Sequence, residues 1–179
     1  MDNSSPANTL QFEVCNTISG ATVTLYADGT PIGSAVASGT CTIITTNGSY
    51  DLTDGGHSIT ARQTESGKLE SSDSPALNVT IDTVAPVVTV DELITGDPTP
   101  PLTGTVNDND AVVTITVDGN SYDAVNNGDG TWILLDNTIA PLSEGIYDVN
   151  AVATDMADNV GSDATTDELT ILILNQPDL

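Results

Sequence analysis

The sequence predicts an all-β protein built from two tandem β-sandwiches arranged end to end. Two observations lead to this prediction: a self-match at a constant offset, and hydrophobic residues that alternate with a period of two within each copy. That period is typical of strands with one face toward a core and one toward solvent. Because 38% of the residues are hydrophobic and fall in such short runs, the acidic composition does not indicate a disordered chain.

The self-match indicates a tandem duplication. ATVTLYADG at Ala21–Gly29 matches AVVTITVDG at Ala111–Gly119, an offset of 90 residues, and the same register later pairs Leu52 with Leu142. Matches that keep one register over such a distance are the signature of a repeat. We therefore predict one domain at residues 1–83 and a second at residues 84–179. Pro86 restricts its neighbours to extended conformations, so we expect a short, stiff linker.

Each copy is expected to form about seven short strands separated by turn signals such as Asp28-Gly29 and Asp118-Gly119. This pattern is that of an immunoglobulin-like sandwich. In the first copy the predicted strands are Leu10–Val14, Thr22–Tyr26, Ile32–Val36, Cys41–Thr45, Ser58–Arg62 and Ala76–Ile81, with a further one in the N-terminal leader. In the second copy they are Val87–Leu93, Leu102–Val106, Val112–Val117, Ser121–Val125, Thr131–Leu135, Ile146–Thr154 and Glu168–Leu174.

The charge balance narrows the classes of partner. The chain has 26 Asp and Glu against two Lys and Arg, a formal net charge of −24, and its only cations are Arg62 and Lys68. Such a chain cannot neutralise a phosphate backbone and is repelled by anionic lipid, so we expect neither nucleic-acid binding nor direct membrane insertion. Divalent cations suit it better. No stretch is long and apolar enough for a membrane span, and the first residues do not resemble a signal peptide. We expect a fragment of a longer protein, with Met1 as a cloning start.

Three acidic segments predict a Ca²⁺ site. Topology should bring the loop between the second and third strands of the second domain, and the loop between its last two strands, to the end where the chain enters, beside the linker. Ca²⁺ takes six to eight oxygen ligands, which carboxylates and carbonyls from several loops can supply. The alternative is that Asp and Asn serve only as turn residues on an acidic surface. The candidate ligands are Asp82, Asp108, Asp110, Asp155, Asp158 and Asn159.

The two cysteines leave two possibilities open. Cys15 and Cys41 fall at the same end of strands expected to be antiparallel neighbours, so a disulfide is possible and would suit an extracellular protein. If Phe12 points inward, however, Cys15 points outward, whereas Cys41 is aligned here with the presumed core residue Trp132. A β-bulge would be needed to reconcile the two; otherwise both are separate thiols.

No catalytic constellation is predicted. The single histidine, His57, stands at the repeat position of Tyr147, which resembles a tyrosine corner, so His57 is expected to be structural. Trp132 is expected to anchor the core of the second domain, although an exposed aromatic would instead suggest carbohydrate stacking. One His and two Cys cannot make an ordinary zinc site. We therefore expect a protein that is not an enzyme.

Three segments resemble the bacterial Ig-like domains that recur in large, repetitive surface adhesins and biofilm-associated proteins. They are the linker IDTVAP, the run AVVTITVDG followed by DGTWILL, and LSEGIYDVNAVATDMADNVGS, in which Asp158 stands where the family usually has Gly. The resemblance implies a secreted or cell-surface, non-enzymatic stalk or extender, stiffened by calcium, whose partners are neighbouring Ig-like repeats of the same chain. We expect a monomer. The alternatives are a module that itself binds a glycan or protein, and an accessory domain of a secreted hydrolase.

Overall fold

The computed structural model describes residues 1–172, and all the regular elements among them are β-strands. The described part of the chain contains no helix that could cross a membrane. The chain divides into two compact units, Met1–Thr83 and Val84–Leu179. The prediction of an all-β protein is therefore confirmed, while the end-to-end arrangement stays a prediction.

The first unit is formed by two sheets. One has the strand order β3-β2-β5-β6 and the other consists of β1 and β4. The strands are β1 (Gln11–Cys15), β2 (Thr22–Ala27), β3 (Thr30–Val36), β4 (Cys41–Thr45), β5 (Gly55–Thr64) and β6 (Leu77–Ile81). Alternate residues of β2 point inward, so that Val23, Leu25 and Ala27 are almost fully buried while their neighbours are not. Ile32, Ile44, Leu52 and Ile59 complete this core.

The second unit has one six-stranded sheet, β14-β13-β9-β10-β11-β8, and one three-stranded sheet, β12-β15-β7. Its strands are β7 (Leu93–Thr95), β8 (Leu102–Thr105), β9 (Val112–Val117), β10 (Asn120–Asn126), β11 (Thr131–Leu134), β12 (Gly145–Tyr147), β13 (Val149–Thr154), β14 (Val160–Ser162) and β15 (Leu169–Ile171). Trp132 is only 1% exposed, and its Nε1 donates to the carbonyl of Thr89 at 2.8 Å. It is the core anchor that the sequence predicts, and its burial contributes on the order of 5 kcal/mol.

The two Asp-Gly signals form the turns expected of them. Asp28 and Gly29 have φ values of 50° and 83°, and Asp118 and Gly119 have values of 47° and 74°. Two successive residues with positive φ make the turn whose twist matches a two-residue hairpin, and Asp and Gly tolerate that conformation. They connect β2 to β3 and β9 to β10, so the repeat is visible in the backbone as well as in the sequence.

The expectation of a strand in the N-terminal leader is wrong. Residues 1–10 contain no strand; isolated backbone bonds, such as that from the N–H of Asn3 to the carbonyl of Asn8 at 2.9 Å, and side-chain bonds take the place of a ladder there. Asn3 is fully buried with φ of 60°; its Nδ2 donates to the carbonyl of Tyr50 and its Oδ1 accepts the N–H of Gly48, both at 2.8 Å. These bonds hold the leader against the first unit without regular secondary structure.

Three predicted strands of the second unit differ in extent because the chain changes partners within them. Val87–Leu93 lies along β8 through a bridge from Val88 to Val106 and isolated backbone bonds, and β7 begins only at Leu93. Ile146–Thr154 is split at Asp148, because β12 pairs with β15 whereas β13 pairs with β9. In Glu168–Leu174 the strand covers Leu169–Ile171, and residues 173 and 174 lie outside the described residues.

Candidate functional site

The loop after β13 is organised around the carboxylate of Asp155. This side chain is 8% exposed; its Oδ1 accepts the backbone N–H groups of Ala157 and Asn159, and its Oδ2 accepts Nδ2 of Asn159, all at 2.8 Å. Burial acts to raise the pKa of Asp155, but these hydrogen bonds outweigh it and lower the pKa below the usual value. Asp155 is therefore an ionised acceptor that closes its own loop.

Asp158 occupies a left-handed backbone position in the same loop. Its φ is 65°, and its N–H donates to the carbonyl of Asp155 at 3.3 Å. Glycine adopts this conformation without strain, and Asp is one of the few other residues that tolerate it. The geometry explains how Asp158 can stand where the resembling family usually has glycine.

The loop between β8 and β9 carries the other two candidate carboxylate ligands of the second unit, Asp108 and Asp110. Oδ1 of Asp108 accepts the N–H of Asp110 at 2.9 Å, and Nδ2 of Asn126 donates to the carbonyl of Asp108 at 2.9 Å. The side chain of Asp110 is exposed. This loop is thus held by short-range hydrogen bonds that leave carboxylate oxygen atoms directed to solvent.

The first residues of the second unit lie against both loop regions. Val87 donates its N–H to Oδ1 of Asn107 at 2.7 Å and accepts the N–H of Asn107 at 3.1 Å. On the other side, the carbonyl oxygen of Pro86 lies so close to Gly161 that a Cβ there would collide with it. Within the second unit, the loop before β9 and the strand after the Asp155 loop therefore flank the same segment.

Asp82, the remaining candidate ligand, follows β6 at the end of the first unit and is exposed. The next residue, Thr83, donates both its N–H and its Oγ1–H to Oδ1 of Asp54 at 2.9 Å. These bonds hold the C-terminal end of the first unit in place. Asp54, whose carboxylate accepts them, is not among the residues that the sequence predicts for the site.

Within the second unit, the candidate carboxylates Asp108, Asp110, Asp155 and Asp158 do not form a group of three with ligand atoms within 4.8 Å of one another. Among the described residues, the one group of three His, Cys, Asp or Glu side chains with ligand atoms within 4.8 Å is Glu13, Cys15 and Cys41. Both cysteines of that group are oxidised, so they offer no thiolate to a metal. Calcium ligation by Asp82, Asp108, Asp110, Asp155, Asp158 and Asn159 stays a prediction.

A disulfide joins Cys15 to Cys41, which are direct cross-strand partners in the β1–β4 pair, with a Cα–Cα distance of 4.0 Å. No bulge interrupts the register, and both residues are exposed. The alignment of Cys41 with Trp132 is wrong by one residue, because Thr42 holds the inward position opposite Val14. The expected conflict of side-chain directions therefore does not arise.

His57 and Tyr147 make equivalent contacts in the two units. The Tyr147 hydroxyl donates to the carbonyl of Ser143 at 3.0 Å, and Nε2 of His57 lies 2.7 Å from the carbonyl of Thr53, four residues back in each case. Nδ1 of His57 lies 2.6 Å from Oδ2 of Asp28. The histidine is structural, as the repeat predicts: it takes the place of a tyrosine corner.

Two buried carboxylates in the second unit were missed by the sequence reasoning. Asp163, 9% exposed, accepts the N–H of Val90 at 2.8 Å and that of Thr165 at 3.0 Å. Glu168, 3% exposed, accepts the N–H of Val149 through Oε2 at 3.0 Å, while its Oε1 has no hydrogen-bond partner among the described residues. The dipeptide Ser-Asp recurs at positions 72–73 and 162–163, and this repeat signal could have identified Asp163.

Comparison with solved structures shows a shared fold. The fibronectin(III)-like modules of CbhA from Clostridium thermocellum are similar, with a TM-score of 0.51, 16% identity, and coverage of 96% of this chain and 90% of theirs. At that identity the likeness concerns the fold alone.

Two further structures are similar at lower scores. One is the Ca²⁺-stabilised adhesin that helps an Antarctic bacterium bind ice, with a TM-score of 0.47, 16% identity, and coverage of 95% of this chain and 45% of that one. The other is the BSP domain of a biofilm-associated protein, with a TM-score of 0.30, 17% identity, and coverage of 88% of this chain and 25% of that one. This chain thus spans under half the length of either.

Sequence comparison gives the family. The curated proteins provide no match. The family model of the bacterial Ig-like domain matches residues 88–173, which is nearly all of the second unit Val84–Leu179. The second unit of this chain therefore belongs to the bacterial Ig-like domain family.

Proposed function

We propose that this chain is a non-enzymatic extender of a bacterial cell-surface adhesin, in which Ca²⁺ at the linker holds the two units as a stiff rod. Its neighbours in that role are further Ig-like repeats of the same polypeptide, and it is monomeric. The family of the second unit supports a bacterial, extracellular setting.

The proposal of a calcium site rests on the contacts of Pro86 and Val87, the residues that follow the linker. Val87 is bonded to Asn107, next to Asp108, and Pro86 lies against Gly161, two residues beyond Asn159. The segment that follows Asp82 and Thr83 in the chain therefore lies next to residues that neighbour both loops. Asp82, Asp108, Asp110, Asp155 and Asp158 would supply carboxylate oxygens, and carbonyls or Asn159 the rest, as Ca²⁺ requires.

The loop carboxylates also explain why an ion would help. No Lys or Arg occurs after Lys68, so repulsion among these carboxylates is relieved only by screening or by a bound cation. An ion that binds only the ordered arrangement stabilises it by mass action. We expect a dissociation constant of about 10⁻⁴–10⁻³ M, the range of extracellular calcium modules.

The surface favours a spacer over a module that binds glycans itself. All six aromatic residues are buried or half-buried, and none lies on the surface as a stacking platform for a sugar ring. Tyr26, for example, is covered by Arg62, whose guanidinium lies 4.5 Å from the ring centroid.

Small-angle scattering and thermal unfolding, each with calcium and with chelator, test the proposal. Calcium should increase the maximum dimension and raise the melting temperature. Asp82→Asn and the pair Asp108→Asn with Asp110→Asn should abolish both responses, because Asn has nearly the shape of Asp but removes the charge, and at position 108 its oxygen can still accept the N–H of Asp110. Asp123→Asn, an exposed carboxylate on β10, is the matched control and should respond as the native chain does.

A calcium response that survives Asp82→Asn and the Asp108/Asp110 pair would place the ion elsewhere. If neither dimension nor melting responds to calcium, the acidity is surface solvation alone. Specific micromolar binding on a glycan array, or capture of a defined protein, would replace the spacer by the binding-module alternative.

A further inference from the structure

The two units differ at one edge of the sandwich. In the second unit, the segment before β7 lies along β8: Thr89 and Asp91 donate their N–H groups to the carbonyls of Thr105 and Thr103, both at 2.9 Å. In the first unit, β1 is the counterpart of β8 and pairs with β4 alone among the described strands. No strand of the described part of the chain lies beside the outer edge of β1.

The same contrast holds at the second sheet. β7 pairs in parallel with β15 through Leu93–Leu169 and Ile171–Thr95. β6, the counterpart of β15, is the last strand of its sheet in the first unit. Its residue Leu77 is 55% exposed. One strand that runs first along β8 and then along β15 thus has no equivalent in the first unit.

An open cavity marks the vacant position. In the second unit, the segment Pro86–Val90 contacts Gly104, Thr105, Val106, Asn107, Gly161 and Asp163. At the repeat offset these are Val14, Cys15, Asn16, Thr17, Ser71 and Asp73, and all six line a cavity of about 320 Å³ in the first unit. An adjoining cavity of about 270 Å³ has an apolar floor that includes Phe12, Leu25 and Ile59.

The leader shows where such a strand would join the chain. The N–H of Leu142 donates to the carbonyl of Pro98 at 2.9 Å, and its repeat partner Leu52 donates to the carbonyl of Asp2 at 2.8 Å. Asp2 therefore holds the structural position of Pro98, so everything that Pro86–Asp97 provides in the second unit would lie ahead of Asp2.

We propose that the first unit is a strand acceptor, whose groove between β1 and β6 takes an extended segment of alternating apolar residues joined to the chain just before Asp2. The occupant has the character of Pro86–Thr95, in which Val88, Val90 and Leu93 point inward and Val87 and Ile94 are exposed. Edge strands with free backbone groups accept such strands through main-chain hydrogen bonds, with alternate side chains filling the groove.

The groove of the first unit differs from the edge of β8 in how closely a strand can approach it. Val14 and Ser71 replace Gly104 and Gly161, where the incoming carbonyls lie too close for a Cβ. A strand bonded to β1 must therefore be shifted from the path that Pro86–Val90 takes along β8, so that its carbonyls clear the Cβ atoms of Val14 and Ser71. Asp73, which corresponds to the acceptor of the Val90 N–H, is held meanwhile by Nε of Arg62 at 2.7 Å.

The test is an extension with the sequence of Val84–Asp97 placed ahead of Asp2 in the full chain. Hydrogen exchange of the Gln11–Cys15 and Leu77–Ile81 amides should slow by at least about tenfold, and the melting temperature of the first unit should rise. An extension carrying Ser at the positions of Val88, Val90 and Leu93 should have neither effect. One carrying Ser at the exposed positions of Val87 and Ile94 should behave as the native sequence does.

Equal protection by the inward-Ser and native extensions, or protection by neither, would overturn the proposal. So would protection of these amides by the free peptide when the joined extension gives none, because the groove would then take its strand from another chain. These results do not depend on calcium, so the outcome is independent of that of the extender proposal.

Discussion

Trp132 lies directly over its cross-strand partner Gly104, and a Cβ on that glycine would be 2.7 Å from both Cε2 and Nε1 of the indole. The corresponding partners in the first unit are Val14 and Thr42. The two copies thus pack this strand pair differently, with a glycine beneath a tryptophan in one and a valine opposite a threonine in the other.

Gly104→Ala should destabilise the second unit by about 1–3 kcal/mol or more, because the added methyl displaces both Trp132 and the carbonyl of Thr89. Trp132 is the single tryptophan, so its fluorescence during urea unfolding reports this unit alone. Gly145→Ala, where a Cβ would meet only ordinary contacts from Tyr147, is the matched control and should change stability little. Equal stabilities for the two variants would contradict the packing described for Gly104.

Removing the disulfide should destabilise the first unit only. The bond joins Cys15 to Cys41 across a sequence separation of 26, and a cross-link of that span typically contributes about 2–4 kcal/mol by restricting the unfolded chain. Cys15→Ser with Cys41→Ser should therefore lower the unfolding midpoint of the first unit. Hydrogen exchange of the β5 amides measures this midpoint. The Trp132 transition should not move. A shift of both transitions would indicate that the two units unfold cooperatively.

The sequence predicts the repeating parts of the fold well, because they depend on local patterns. The period of two located β2 and β9, and the Asp-Gly pairs located their turns. The sequence pattern does not predict where one continuous segment contributes strands to two different sheets. Nothing local in Ile146–Thr154 shows that Asp148 separates a strand paired with β15 from one paired with β9.

The candidate site was predictable only in part, for a related reason. The place of its loop in the predicted topology identifies Asp155 as a potential calcium ligand, but its hydrogen bonds to Ala157 and Asn159 arise from the loop conformation, which the sequence does not display. Cys15 and Cys41 likewise required the strand register before their side chains could be directed to the same face. The role of His57, in contrast, followed from its repeat partner Tyr147.

Asp155→Ala should loosen the loop after β13 and lower the melting temperature of the second unit, measured in chelator to exclude any effect of calcium. Asp155→Asn should lower it less, because its oxygen can still accept the N–H groups of Ala157 and Asn159.

The lowered pKa of Asp155 means that its contribution to stability is present above pH 3.8, the pKa of the unfolded state, and is lost as the pH falls through the folded pKa. Asp123→Ala, on an exposed strand position, should leave the melting temperature unchanged. If it matches Asp155→Ala, general charge and not the loop is responsible.

The stability of the first unit should fall as the pH rises above about 6.5, while that of the second should not. Both ring nitrogens of His57 face acceptors, the carbonyl of Thr53 and the carboxylate of Asp28, so both bonds can form only when the imidazole is protonated. The Thr53 carbonyl and then the Asp28 carboxylate raise the pKa of His57 above 6.5. Since the folded pKa exceeds the unfolded one, the stabilisation is complete below pH 6.5 and is lost as the pH rises through the folded value.

His57→Tyr should remove this pH dependence, because a tyrosine can make the bond to Thr53 that Tyr147 makes to Ser143 without titrating near neutrality. Urea unfolding between pH 5 and pH 9 provides the measurement, with β5 amide exchange for the first unit and Trp132 fluorescence for the second. The second unit serves as the internal control, since it contains no histidine. A pH dependence that persists in His57→Tyr would mean that another group titrates with folding, and the ion pair between His57 and Asp28 would not be its source.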